Sequence, residues 1–332
     1  MLSGGSIDLS ALRLAHVIPS KGTARWSVAS LGDEVFVSNG QHIEVYDATK
    51  FVFQYNLAVP GLGPNCYGLA ICLHNNCLYA SDYSSIHKVS LSGSNTVKEW
   101  SVNQAGGISV NKTHNVVVAC SKLHEVQEYT TRGTLVRQIK LQPVQIANPW
   151  HAIQLSTGDY VVSHGSSPGG VSIVKIDGQV VHRQSQLNRR QMLNPRCLAV
   201  TNDNNIVVAE HTFHAIMSMD SSLSSVQQLA FTVDCGIQNP FGLSLDESRG
   251  RLYVSENGGQ CRVLVFDSMA VNGGTLAQSQ PQMGSLQITN DRYNDYYYDD
   301  YYDDYYDDYY DDYYTQNQPF LRERSLWDQD NI

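Results

Sequence analysis

Two groups of side chains in this 332-residue chain have the types and spacing for chemistry or recognition. The first is Arg25, Trp26, Tyr67, Trp150, His151, Arg196 and Phe241, each at the start of a short apolar segment. The second is Asp82, His164, Glu210, His211 and Glu256, each at the end of a second, more strongly apolar segment. Tyrosine, tryptophan and arginine dominate interface hot spots, so the first group suits a binding rim; the competing reading is that its aromatics cap the underlying sheets. His151, His164 and His211 are the right type and number for a catalytic zinc with one open position. Two of them come from one segment and the third from the next, with nothing comparable in the second or sixth, so the expectation is no metal and no cofactor. Asp82, Glu210 and Glu256 sit at one recurring position, where bonding to turn backbone is the expected role. The chain contains no H-E-x-x-H or G-x-x-x-x-G-K-[ST], so no zinc-protease helix or phosphate loop is indicated.

The elements that must hold these residues repeat. Anchors Val28, Leu69, Ile108, Ile153, Leu198 and Leu243 lie 39 to 45 residues apart. Each is preceded by a turn-like stretch, three times with Asn-Pro whose proline is three or four residues ahead of the anchor (148–149, 194–195 and 239–240), and Asn-Pro initiates turns. Seven to nine residues on comes a continuous apolar strand: 35–38, 78–81, 116–119, 160–163, 206–209 and 252–255. Such runs mean strands covered on both faces. Third strands follow at 43–46, 86–89, 126–129, 171–174, 215–219 and 263–266, and a more mixed fourth in most copies, such as 52–57, 97–102, 135–141 and 226–231. Six copies of four antiparallel strands predict an all-β, six-bladed β-propeller over residues 11–280, because a blade cannot bury both faces alone. Residues 11–17 take the place of a fourth strand ahead of the first anchor and are predicted to complete the last blade, which removes an open edge. In that arrangement both groups of candidate residues emerge on one face, the second group forming a secondary rim.

The unit N-P-x-G-L-x(7–9)-L-Y-V-(S/A)-(D/E), closing on (I/V)-x-V-(F/Y)-D, is fullest at residues 239–267 and partial at 194–220 and 65–91. It resembles the NHL repeat over roughly residues 24–267. The one Trp-Asp pair is Trp327-Asp328, outside the repeats, and Gly-Gly doublets fall at varying repeat positions, so the WD and kelch patterns do not fit. The resemblance implies a non-catalytic, protein-binding propeller, with RNA as the second ligand class, similar to the C-terminal propeller of tripartite-motif proteins of the ubiquitin pathway. Ligase activity is not implied, since no C-x2-C pair and no heptads appear. NHL-like propellers also include a metal-dependent lyase, which makes a propeller lyase or hydrolase the alternative.

Charge divides the chain. Residues 291–332 hold 13 acidic and 3 basic side chains and so the whole formal charge of −10; the rest carries 19 of each sign. A neutral body lacks the basic surface that nonspecific nucleic-acid binding needs. Twelve of the 20 tyrosines fall in residues 293–314, with period Asp-Asp-Tyr-Tyr. Residues 281–332 are therefore expected to be a disordered acidic, tyrosine-rich tail, open to basic partners or tyrosine modification. Residues 1–10 read as an N-terminal extension with no signal-peptide pattern, and no apolar run reaches membrane-spanning length. The expectation is a cytoplasmic protein without membrane contact; a secreted or matrix protein with a modified tail is the alternative. Among seven cysteines, Cys72 and Cys77 flank a tight turn and would face each other, as thiols or, in an oxidising compartment, as a disulfide.

Overall fold

The computed structural model describes residues 6–268 apart from 20–25, 41, 93–96, 166–168, 188–189 and 230–234. Arg25 and the whole of 281–332 lie outside the described residues. Among the described residues the chain is all-β, with antiparallel pairing throughout and no helix.

After β1 (Leu12–Ile18), the first sheet is β2 (Val28–Leu31), β3 (Glu34–Asn39), β4 (His42–Asp47) and β5 (Phe53–Leu57). A seven-stranded sheet follows: β6 (Gly68–Cys72), β7 (Cys77–Ser81), β8 (Tyr83–Ser90), β9 (Val97–Val110), β10 (Val116–Cys120), β11 (Glu125–Tyr129) and β12 (Leu135–Lys140). The next is β13 (Pro149–Gln154), β14 (Tyr160–His164), β15 (Gly170–Val174) and β16 (Val180–Gln184). A small hairpin, β17 (Gln186–Leu187) with β18 (Arg190–Gln191), leads to β19 (Pro195–Val200), β20 (Ile206–Glu210), β21 (Ala215–Met219) and β22 (Val226–Gln228). The last sheet joins β23 (Pro240–Asp246), β24 (Arg251–Glu256) and β25 (Val263–Ser268) to β1, which pairs from Leu12 opposite Ser268 to Ile18 opposite Val263.

Continuous apolar strands form because each sheet is packed on both faces. In β20, Ile206 and Val208 face a core with Ile153, Val161 and Val171, whereas Val207 and Ala209 face one with Leu243, Leu252 and Val254. In β25, Leu264 and Phe266 join the latter core, and Val263 and Val265 pack with Val28, Val35 and Val37 of the first sheet. A period-two side-chain alternation thus feeds two cores from one strand. The innermost strands touch in the order β2, β6, β9, β13, β19, β23 and back to β2.

One expectation fails locally. Residues 104–107 read as a turn, yet they lie inside β9, which serves as outer strand to β8 and inner strand to β10. Ala105 stands opposite both Tyr83 and Cys120. Glycine explains the continuity: a Cβ on Gly107 would sit 2.6 Å from His151 Cδ2 and 2.8 Å from Trp150 O, so the bare backbone passes where no side chain could. No helix among the described residues is long and apolar enough to cross a membrane.

Candidate functional site: an aromatic and arginine cluster set on three bulges

The three Asn-Pro dipeptides build the site. Pro149, Pro195 and Pro240 are the first residues of β13, β19 and β23, where a missing N–H costs no ladder bond. Asn148 and Asn239 take left-handed backbone (φ 47° and 45°), which asparagine tolerates better than most side chains. Immediately after each proline the register slips by one residue. Pro149 pairs His164 but His151 pairs Ser163; Pro195 pairs Glu210 but Cys197 pairs Ala209; Pro240 pairs Glu256 but Gly242 pairs Ser255. The extra residues are Trp150, Arg196 and Phe241. A bulge re-aims the side chain it carries, and these three meet: the Arg196 guanidinium carbon lies 3.7 Å from the Trp150 ring centroid and 5.5 Å from that of Phe241.

From Phe241 the cluster continues around the ring. Trp26 meets it edge-on with centroids 5.0 Å apart, Tyr67 lies 5.4 Å from Trp26, and Tyr83 lies 6.2 Å from Tyr67. His211 meets Phe241 from the other side at 6.3 Å. Trp26 and Phe241 are buried, Tyr67, Trp150, Arg196 and His211 are half-buried, and Tyr83 is exposed. The structure therefore brings together six of the predicted rim residues, on or beside five separate sheets, and adds Tyr83, which sequence reasoning missed because it read residue 83 as part of a loop.

The second group plays a different part. Asp82, His164, Glu210 and Glu256 were expected on a secondary rim but are buried, the last three with 0% of their surface exposed. His164, Glu210 and Glu256 close the second strands directly opposite the three prolines, inside the ladder. The carboxylates of Glu210, Glu256 and Asp82 hold the connecting segments. Glu210 Oε1 accepts from the N–H groups of Leu193 (3.1 Å) and Asn194 (2.6 Å), and Oε2 from that of Phe213 (2.6 Å). Glu256 Oε1 accepts from Gln238 N (2.8 Å), while Oε2 pairs with Arg262 Nε at 2.7 Å. Asp82 Oδ2 accepts from Gly63 N (2.8 Å) and sits 2.8 Å from His87 Nε2; hydrogen bonds to its charged form hold its carboxyl below the usual range despite burial. A backbone bond recurs beside them: the Asn148, Asn194 and Asn239 carbonyls accept from Gly165, His211 and Asn257. Acid and carbonyl together fix the segments that deliver Arg196 and Phe241, and the Asn148 carbonyl bond recurs beside Trp150, where His164 stands in place of the acid.

His151 is also buried, against its expected place on the rim. It lies next to Trp150 but points into the body, where its Nδ1 accepts from Leu198 N (2.9 Å) and its Nε2 donates to the Ile108 carbonyl (3.0 Å). One neutral imidazole thus ties three innermost strands, and burial pushes its pKa down to about 4. His164 and His211 are each pushed down to about 3, first by burial and then by Arg183 and Arg196 respectively. Both nitrogens of His151 are engaged, so it has no lone pair to give a metal. Among the described residues no group of three His, Cys, Asp or Glu side chains is placed to hold one. Among the described residues, the cluster at neutral pH is an aromatic surface around the Arg196 cation.

Neither a family profile nor a curated protein sequence matches this chain. Solved structures do resemble it. A protein of unknown function from Bacteroides thetaiotaomicron VPI-5482 aligns with TM-score 0.61 at 11% identity, over 78% of this chain and 74% of that one. The PQQ-bound aldose sugar dehydrogenase of Streptomyces coelicolor gives 0.57 at 11%, over 77% and 97%. A streptogramin B lyase gives 0.55 at 11%, over 77% and 97%. These neighbours are β-propeller proteins, two of them enzymes, and at such identity the likeness concerns architecture alone. The chain has a β-propeller fold.

Proposed function

We infer that this chain is a non-catalytic, NHL-type propeller of six blades that binds a protein partner at the end where Trp150, Arg196, Tyr67 and Tyr83 lie. The closed order of six innermost strands supports the blade count. One observation carries the functional reading: three sheets repeat the same proline-and-bulge device, and it presents three unlike residues, Trp150, Arg196 and Phe241, to one another. A device serving only the fold could carry the same residue each time. Half-buried aromatics around an arginine supply large contact area at low side-chain entropy cost, as hot spots require. The reading as non-catalytic rests on the engaged nitrogens of His151 and on carboxylates spent on backbone N–H groups.

The test is retention of extract proteins by the immobilised full chain, quantified by mass spectrometry. Trp150→Ala and Arg196→Ala are expected to weaken retention of the bound protein at least about tenfold, the equivalent of about 1.4 kcal/mol. Leu73→Ala, at an exposed turn far along its sheet from Tyr67, is expected to leave it unchanged. Equal loss in all three, or in none, contradicts the reading. Retention that nuclease abolishes would assign the surface to RNA instead.

A further inference from the structure

Cys72 and Cys77 end β6 and begin β7, and they stand directly opposite each other in the antiparallel register. Residues so opposed have Cα atoms about 4.5–5.5 Å apart, within the roughly 4.4–6.8 Å that a disulfide spans. Both are free thiols, and each lies in hydrogen-bonding reach of the other. Cys120 and Cys197 lack this arrangement, since alanine or glutamate faces them across their ladders.

The geometry points to Cys72 and Cys77 as a redox-active dithiol that closes to a disulfide by exchange with a low-molecular-weight disulfide such as glutathione disulfide. One cysteine thiolate attacks a sulfur of glutathione disulfide, forming a mixed disulfide and expelling one glutathione thiolate. The second cysteine then loses its proton and attacks the mixed disulfide at the cysteine sulfur, expelling the second glutathione. Two protein thiols are oxidised, one glutathione disulfide is reduced to two glutathiones, and the two thiol protons go to the departing thiolates.

The surroundings suit slow, specific exchange. The pair is buried in a core with Ala70, Tyr79, Ile86 and Val116, but it lies at the rim of that core beside the turn at residues 73–76, where Leu73 is 77% exposed and His74 is exposed. Exchange therefore requires local opening of this hairpin end, where β6 finishes and β7 begins. The turn is held by Asn76 N donating to the Leu73 carbonyl (3.2 Å) and Asn75 Nδ2 donating to Cys72 Sγ (3.1 Å). It is also tied to the next hairpin by stacking of His74 on His114, with centroids 4.0 Å apart. Burial raises the Cys77 thiol, while the Tyr79 hydroxyl and Lys88 oppose that, so exchange should quicken as pH rises. The site lies at the opposite end of its sheet from Tyr67 and stands apart from the proposed binding role.

The experiment exposes the native full-length chain to glutathione disulfide, alkylates the remaining thiols and maps them by mass spectrometry. The expected result is a peptide holding Cys72 and Cys77 that is unalkylated, lighter by two hydrogens and restored by reductant. In Cys72→Ser and Cys77→Ser the link is expected to be lost. Full alkylation of both residues after oxidation overturns the assignment. So does glutathione held on either residue of the wild-type chain without closure.

Discussion

The two ends of this propeller solve the same problem differently. At one end lie the turns between first and second strands, each capped by its own residues and linked to the next sheet by side chains, as where Asn202 N donates to Glu247 Oε1 (2.7 Å) and Asn111 Nδ2 to Gln154 Oε1 (3.0 Å). Asn111 Oδ1 accepts from Thr113 and Asn115 two and four residues on, and Asp246 caps its own turn through Arg249 N. Contact between neighbouring sheets at that end includes Arg249 paired with the exposed Asp33 at 2.6 Å. At the other end, where the chain passes from sheet to sheet, long-range bonds rule: Glu210 reaches back 16 and 17 residues, and Glu256 reaches back 18. The turns are capped from within, whereas the connecting segments are fixed by buried acids that reach back along the chain and so can present chosen side chains in a set geometry. The difference teaches that the framework of buried acids and bulges is what lets Trp150, Arg196 and Phe241 vary in type while sharing one position.

That contrast can be broken by substitution. Glu210→Ala leaves three backbone N–H groups without their acceptor and is expected to cost about 4 kcal/mol, at about 1–3 kcal/mol per orphaned buried donor with partial relaxation. Urea denaturation reads it; a loss below about 1 kcal/mol would mean that the acid is not a framework group. Gly242→Ala places a Cβ 2.6 Å from Ser255 Oγ and 2.8 Å from Ser27 Cα, where β23 passes the first sheet. Overpacking there should cost about 2 kcal/mol, and an unchanged midpoint would contradict the close approach.

Acid should weaken the connecting end first. His151 and His164 are buried and neutral, with folded pKa values of about 4 and about 3 against an ordinary 6.5. A histidine depressed on folding binds its proton first in the unfolded chain, so stability is full above about pH 6.5 and falls as pH drops toward the folded value. The slope reaches at most about 1.4 kcal/mol per pH unit for each residue. Thermal melts between pH 7 and pH 5 are expected to fall steadily, and less so in His151→Gln. A flat profile would show that neither imidazole stays neutral. At the turn end, Arg249→Ala is expected to cost only about 1 kcal/mol, because one partner, Asp33, is largely exposed and the other, Asp246, is a local pair three residues away.

Much of the framework can be read in the residues. The apolar runs at 206–209 and 252–255 imply strands covered on both faces, and the offsets of the Asn-Pro pairs mark where β13, β19 and β23 begin. The bulge after each proline is not legible, since the same dipeptide reads as a plain turn and register is decided by pairing with the next strand. Bonding of Glu210 and Glu256 to backbone is legible from their recurring position, but their burial is not: a polar residue after an apolar run looks like the start of a loop, and the N–H groups it accepts from lie 16 to 18 residues earlier. The continuity of β9 is masked by Gly106 and Gly107, which resemble a turn but permit the close passage of His151 and Trp150. The cluster itself is half legible, because types such as Trp150 and Arg196 stand out, while their contact depends on the bulges.

The most direct measurement is site-specific photo-crosslinking, with a photoreactive phenylalanine analogue placed in turn at Tyr67, Tyr83, Leu73 and Ile176. The account predicts a discrete protein adduct from Tyr67 and Tyr83, competed away by excess unmodified chain, and no such adduct from Leu73 or Ile176. Adducts of equal yield from both pairs, or from Leu73 and Ile176 alone, would contradict it.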